Sequence, residues 1–249
     1  MLNILWRNIK WRFQNPVSIA ITILQPLIWL VLYSAVAGQA MKNMGIGNYV
    51  AFILPGIIVL VTLAACCSGG MINFIMKSNG SFYRILIAPV SRSSIVLGQM
   101  LEAILVSFLE VAILCAVSLF FSVTVASGIA GVVLMILLIF MTAFFVSGLT
   151  YSISLFLPNE IIYETIMNAI ILPVFFLSSA LFPFESLSGG LKIALMLNPF
   201  THIINALRRL IFGETILFWD VLPVIALFAV MCCGSFALAM WRLKKEITH

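Results

Sequence analysis

The sequence predicts an all-α integral membrane fold with six transmembrane helices, and three observations carry that prediction. Of 249 residues, 63% are hydrophobic and 8% are charged, too little polar surface to enclose so much apolar volume in water. The apolar residues fall in runs near the ~20 residues that a helix needs to cross hydrocarbon. The 13 lysines and arginines gather between those runs, in the pattern that sets membrane orientation. Hydrophobicity persists to the last ten residues, so the first run reads as a permanent anchor rather than a cleaved leader. With no internal repeat and no linker, the chain reads as one transmembrane domain over residues 1–249.

Residues 2–14 place Leu2, Leu5, Trp6, Ile9 and Phe13 on one helical face and Asn3, Arg7, Lys10 and Gln14 on the other. That pattern predicts an amphipathic interfacial helix, with Arg7 and Lys10 among headgroups and Trp6 and Trp11 at the acyl boundary. Pro16 lets the chain turn into a first span at about 18–38, which AGQAMKNMGIGN ends. A second span is expected at about 50–73 and a third at about 94–121, the latter carrying Glu102 and Glu110. The uncharged run from Val111 to Asn159 is too long for one crossing and breaks near Ser127 and Gly128, giving a fourth span at about 129–156. A fifth, about 162–182, follows FLPNE, and a sixth, about 218–241, precedes RLKKEITH.

Orientation follows from the basic residues. With both termini cytoplasmic in a plasma membrane, Arg7, Lys10, Arg12, Lys77, Arg84, Arg92, Arg242, Lys244 and Lys245 lie inside. Lys42, Lys192, Arg208 and Arg209 lie outside, and nine against four selects this topology.

That topology puts GSFYRILIAPVSRSSIVLGQ, residues 80–99, on the inner side. Phe82, Ile85 and Leu86 fall at i, i+3 and i+4, with Tyr83 and Ile87 beside them and Arg84 on another side; Pro89 ends the turn. A short amphipathic helix is expected, serving either as a headgroup anchor or as an aromatic-plus-arginine knob for a cytosolic partner. On the outer side Asn198 is a good N-cap, Pro199 suits the first helical position and Gly213 can end the helix. Between them Phe200, Ile203, Ile204, Leu207, Leu210 and Ile211 form one face, and His202, Asn205, Arg208 and Arg209 the other. His202 is there either a pH sensor or a residue facing headgroups.

Cys66, Cys67, Cys115, Cys232 and Cys233 sit inside apolar runs, with no metal-binding spacing, and read as small apolar fillers or, alternatively, a buried reactive thiol. No glycine is followed by lysine, so there is no phosphate-binding loop of the P-loop kind, and no metal or catalytic cluster is visible. Glu110, near the middle of the third span with Glu102 two turns away, is either a cation-binding or gating group or a carboxyl hydrogen-bonded to a neighbouring helix. Glu160 and Glu164, at i and i+4 beside Pro158, belong at the inner mouth.

YRILIAPVSRSSIVLGQ resembles the coupling segment of ABC-2 type exporter permeases, with Arg84, Pro89, Ser91 and Arg92 at matching positions. Ser78 and Asn79 stand where such proteins often carry an acidic pair, and Tyr83 where a glutamate is common. YVAFILPGI is similar to that family's entry into the second span, and residues 176–213 resemble its fifth span, outer hairpin and Asn-Pro-containing external helix. The resemblance implies a permease subunit, homodimeric or heterodimeric, above two cytosolic ATPases that bind ATP and magnesium; this chain itself would hold no cofactor and no nucleic acid. It implies ATPase coupling through Phe82, Tyr83, Arg84, Ile85, Leu86, Pro89 and Arg92, and the place of Glu160 and Glu164 at the inner mouth makes them a second expected contact to that partner. It makes the hairpin of Asn198, Pro199, His202, Asn205 and Arg209 an external gate. It runs the pathway along a dimer interface of the first, second and fifth spans, where Phe175, Phe176, Phe182 and Phe184 suit a lipophilic or amphiphilic cargo such as a drug, peptide antibiotic or lipid-linked molecule. The same phenylalanines equally suit lipid contact. Polysaccharide or glycolipid export is the alternative within the family, and an ion-coupled secondary transporter using Glu110 the alternative outside it.

Overall fold

A computed structural model describes residues 2–13, 24–32, 35–36, 48–87, 89–123, 125–181, 189–213 and 218–247. Nine helices are defined among them: α1 Leu2–Phe13, α2 Tyr49–Ser78, α3 Ser81–Leu86, α4 Arg92–Leu119, α5 Gly128–Phe156, α6 Glu160–Phe176, α7 Gly190–Leu197, α8 Pro199–Phe212 and α9 Phe218–Ile247. Residues 24–32 form a further helical stretch.

Four of these helices are long and apolar enough to cross a membrane: α2, α4, α5 and Asp220–Glu246 within α9. They correspond to the second, third, fourth and sixth expected spans. Of the first expected span only 24–32 and 35–36 are described. The fifth is shorter than its expected 162–182: α6 has 17 residues and gives way to a turn after Phe176. The last helix is longer than expected, continuing through Arg242 to Ile247, because its basic end is tied to its neighbours as described below. The break between the third and fourth spans falls at Gly128, whose φ of 66° is left-handed and suits glycine.

α2 is the hub, 89% buried over its apolar window against 17% for α9. A helix so enclosed needs close neighbours, and small residues provide them. Side chains added at Gly69 and Gly70 would collide with Ala103 of α4 and with Tyr163 of α6, respectively, so glycine sets these crossings. Polar side chains satisfy backbone carbonyls inside the bundle: Thr150 Oγ1 donates to the Cys66 carbonyl at 3.0 Å and Tyr163 Oη to the Cys67 carbonyl at 2.9 Å. Asn73 Nδ2 donates to Ser154 Oγ at 2.7 Å, joining α2 to α5. Ile53, Ile57 and Ile58 of α2, Leu138 and Ala143 of α5, and Ile203, Ile204 and Leu207 of α8 form the main apolar core, all fully buried.

The bundle has two chemically different ends. One gathers α1, the end of α2, α3, the start of α4, the end of α5 and the end of α9, and with them Arg7, Lys77, Arg84, Arg92, Arg242, Lys244 and Lys245. The other holds the start of α2, the end of α6, α7, α8 and the start of α9.

Candidate functional site

At the basic end, α3 opens at Gly80, whose φ of 73° is left-handed, and runs six residues. Its Phe82 is fully buried among Ile95, Val96 and Met100 of α4, Tyr151 and Leu155 of α5, and Ala239 and Leu243 of α9; Ile85 is buried beside it. Of the residues named for ATPase coupling, Phe82 and Ile85 fill a notch made by three helices of the same chain, and Leu86 is half-buried. The outward face belongs to Tyr83, Arg84, Ile87 and Pro89, with Ile87 86% exposed. Arg92, at the first turn of α4, and Glu160 and Glu164, in the first turns of α6, are also exposed.

Lys77 ties this end together. Its Nζ donates to the Leu155 carbonyl at the end of α5 at 2.8 Å and pairs with Glu246 of α9 at 2.8 Å. Three helix ends therefore meet on one cation, which also complements their C-terminal dipoles. α1 docks through Asn8, whose Nδ2 donates to Gln99 Oε1 of α4 at 2.7 Å, while Trp6, Arg7 and Lys10 are exposed. Trp11 of the expected interfacial set has no described side chain.

At the opposite end two polar residues organise the corner between α6 and α8. Asn198 caps α8 by accepting from the Phe200 amide at 3.0 Å, and its Nδ2 donates to the Val174 and Leu177 carbonyls at 2.7 and 2.8 Å. One side chain thus starts α8 and takes the last carbonyls of α6, which is why α6 stops short. Pro199 holds the first position of α8, and Gly213 closes it at φ 69°. Arg208 donates to the carbonyls of Phe52 at 3.1 Å and Ser179 at 2.6 Å and to Asn205 Oδ1 at 3.1 Å, and its guanidinium lies 3.8 Å from the Phe52 ring centre. Ser179 Oγ donates to Asn205 Oδ1 at 2.7 Å, closing the network. His202 contacts the Met196 carbonyl at 3.0 Å and Arg209 lies 3.6 Å from Asp220. The apolar face of α8 meets the core rather than lipid, Ile203, Ile204 and Leu207 being fully buried.

Between the two ends lies a cavity of ≈ 610 Å³. The helical stretch 24–32 contributes Gln25 and Trp29, α2 contributes Leu60, Ser68 and Met71, and α4 contributes Glu110. α6 supplies a wall from Tyr163 and Glu164 through Asn168 to Phe175 and Phe176, a reach of ~20 Å at the helical rise per residue. The two phenylalanine rings meet edge to face at 5.5 Å. The elements named for the pathway from sequence, the first, second and fifth spans, supply most of this lining; Phe182 and Phe184 lie outside the described residues. Glu102 is equally buried but faces the Gly69 crossing instead.

Several residues of this arrangement were not singled out from sequence. Arg208, Lys77, Glu246, Asn8 and Tyr163 act through partners distant in the chain. Only Arg208 left a local signal, its place three residues after Asn205 on the polar face of a capped amphipathic helix.

The family model for the ABC-2 type transporter matches residues 1–212. The protein named as transport permease ycf38 of Cyanophora paradoxa is 26% identical over 221 residues, covering 87% of this chain and 76% of its own. Its namesake in Porphyra purpurea is 28% identical over 201 residues, 80% of this chain and 68% of its own. The daunorubicin resistance ABC transporter permease protein DrrB1 of Streptomyces coeruleorubidus is 24% identical over 246 residues, 98% of this chain and 86% of its own.

Proposed function

Because the chain belongs to the ABC-2 type transporter family, a family of multi-pass membrane permeases, we propose that it is the membrane subunit of an ATP-driven exporter for a lipophilic or amphiphilic cargo. The observation that carries the reading is the cavity, where an aromatic wall of Trp29, Phe175 and Phe176 faces a few separated polar groups. Such a lining holds an apolar body and orients it through few contacts. The relative named for daunorubicin resistance supports a drug-like cargo, and sugar export would ask for more polar groups along the wall.

ATP and magnesium belong to separate cytosolic ATPase subunits in this reading, and two copies of the permease, or this chain with a related one, frame the pathway. The basic end is cytoplasmic, as the excess of lysine and arginine there favours. Tyr83, Arg84 and Ile87 offer the ATPase an exposed aromatic, cationic and apolar triplet on a helix fastened through Phe82. When the ATPases close, a helix seated on α4, α5 and α9 moves those spans as a unit, and the α8 corner opens or seals the outer side. The test is isolation of the tagged chain from its native membrane in mild detergent. Co-isolation of a nucleotide-binding subunit, with ATP hydrolysis stimulated by a lipophilic drug, is the expected result. A monodisperse permease with neither would overturn the reading.

A further inference from the structure

The last turns of α9 carry an arginine held by aromatic rings rather than by oxygen acceptors. The guanidinium of Arg242 lies 4.7 Å from the ring centre of Phe156, the last residue of α5, and 4.8 Å from that of Trp241; among the described residues no hydrogen bond or ion pair engages it. The acidic residue nearest to it in sequence, Glu246, is committed to Lys77 at 2.8 Å. Both rings are open to the surroundings, Phe156 being 65% and Trp241 53% exposed. Lys245 Nζ lies 5.8 Å from the Trp241 ring centre, so a second cation shares their face. Helical rise fixes the depth of this group. From Asp220 to Arg242, α9 rises about 33 Å, close to the ~30 Å thickness of hydrocarbon, so a span that begins at Asp220 brings Arg242 out at the opposite headgroups. α9 is also the least enclosed of the four crossing helices, which leaves this face to lipid.

We propose that Phe156, Trp241 and Arg242, with Lys245 beside them, form a binding site for an anionic phospholipid in the leaflet at the basic end. An aromatic face attracts a guanidinium but leaves most of its five N–H donors unfilled. At the edge of hydrocarbon those donors need oxygen acceptors, and the guanidinium fork matches a phosphate through two parallel hydrogen bonds. For Arg208 the chain's own carbonyls supply the acceptors; for Arg242 the bilayer does. The exposed rings of Phe156 and Trp241 suit the glycerol and upper acyl region beneath that phosphate. A choline headgroup would bring its own positive charge toward Arg242 and Lys245, whereas an anionic headgroup meets cations alone. A soluble partner would have to descend to the hydrocarbon boundary to cover Phe156, where lipid is the solvent. The site needs neither ATPase nor cargo, so it stands apart from the exporter reading.

Lipid competition on the full purified chain tests this. In native mass spectrometry from detergent containing an equimolar mixture of phosphatidylglycerol and phosphatidylcholine, the chain should retain phosphatidylglycerol in about fivefold excess, the scale of one basic residue at a membrane surface. Arg242→Gln should remove most of that excess, while Arg92→Gln, at the exposed start of α4, should leave it unchanged. Quenching then locates the lipid. In a chain carrying Trp6→Phe, Trp11→Phe, Trp29→Phe and Trp219→Phe, Trp241 fluorescence should be quenched more by phosphatidylglycerol brominated high on its acyl chains than by the matching brominated phosphatidylcholine. Millimolar inorganic phosphate should not relieve that difference. Equal retention of the two lipids by the unaltered chain, an excess that survives Arg242→Gln, or an equal loss from Arg92→Gln would overturn the proposal. Relief by phosphate would overturn it too, making this a site for the free ion, as would an Arg242→Gln variant that keeps the lipid preference and loses a co-isolated ATPase, which would make it a protein contact.

Discussion

The two ends of the bundle use arginine in opposite ways. Arg208, beside the α6–α8 corner, is spent inside the chain: the backbone carbonyls of Phe52, Ser179 and Ala180, one side-chain oxygen and an aromatic face surround its guanidinium. Arg84, on α3, lies on the surface next to Tyr83 and Ile87 while its neighbour Phe82 does the anchoring. A guanidinium near hydrocarbon has to be wrapped by acceptors, and once wrapped it becomes a structural tie. On α3 it stays at the surface. The same residue type thus ties a corner of the chain at one end and is left exposed on α3 at the other.

Substitutions can break or sharpen that contrast. The largest effect on stability is expected from Phe82→Ala, since truncating a fully buried phenylalanine costs ~3–5 kcal/mol. The measurement is thermal unfolding in detergent together with limited proteolysis; a marked drop in stability with new cleavage between Ser78 and Arg92 is expected. Unchanged stability would mean that α3 is not seated by this residue. Arg208→Lys comes next. Lysine keeps the charge but cannot span the carbonyls of Phe52 and Ser179 with Asn205 at once, so a loss of about 2 kcal/mol is expected from the acceptors left without their donor. Thermal unfolding reads it, and stability equal to that of the unaltered chain would show that charge alone holds the corner.

The contrast also explains what the sequence could and could not disclose. Hydropathy places α2, α4, α5 and α9 because a span is a local property, and Gly128 marks the break for a local steric reason. The cap formed by Asn198, Pro199 and Gly213 is legible for the same reason. Helical periodicity correctly groups Phe82 with Ile85 but cannot say whether that face meets a partner or its own chain, because the notch is built from residues near 95, 151 and 243. The end of α6 was set too late because Asn198, more than twenty residues onward, takes its final carbonyls. Periodicity shows Arg208 only as polar-facing because its acceptors at Phe52 and Ser179 are backbone atoms, which leave no trace in side-chain patterns. The cavity needed the packing of four segments before its lining could be seen.

The smallest effect on stability and the largest on assembly should coincide in one variant, Tyr83→Ser with Arg84→Ala and Ile87→Ser. These side chains are exposed, so unfolding should shift by less than ~0.5 kcal/mol. As the centre of the proposed docking face they should nonetheless control retention of the ATPase, which is measured by co-isolation in mild detergent followed by ATP hydrolysis. The account predicts a well-folded permease that no longer brings down the ATPase. A triple variant that retains the ATPase and its cargo-stimulated hydrolysis would contradict it, returning residues 80–93 to the role of a loop helix lying on lipid headgroups.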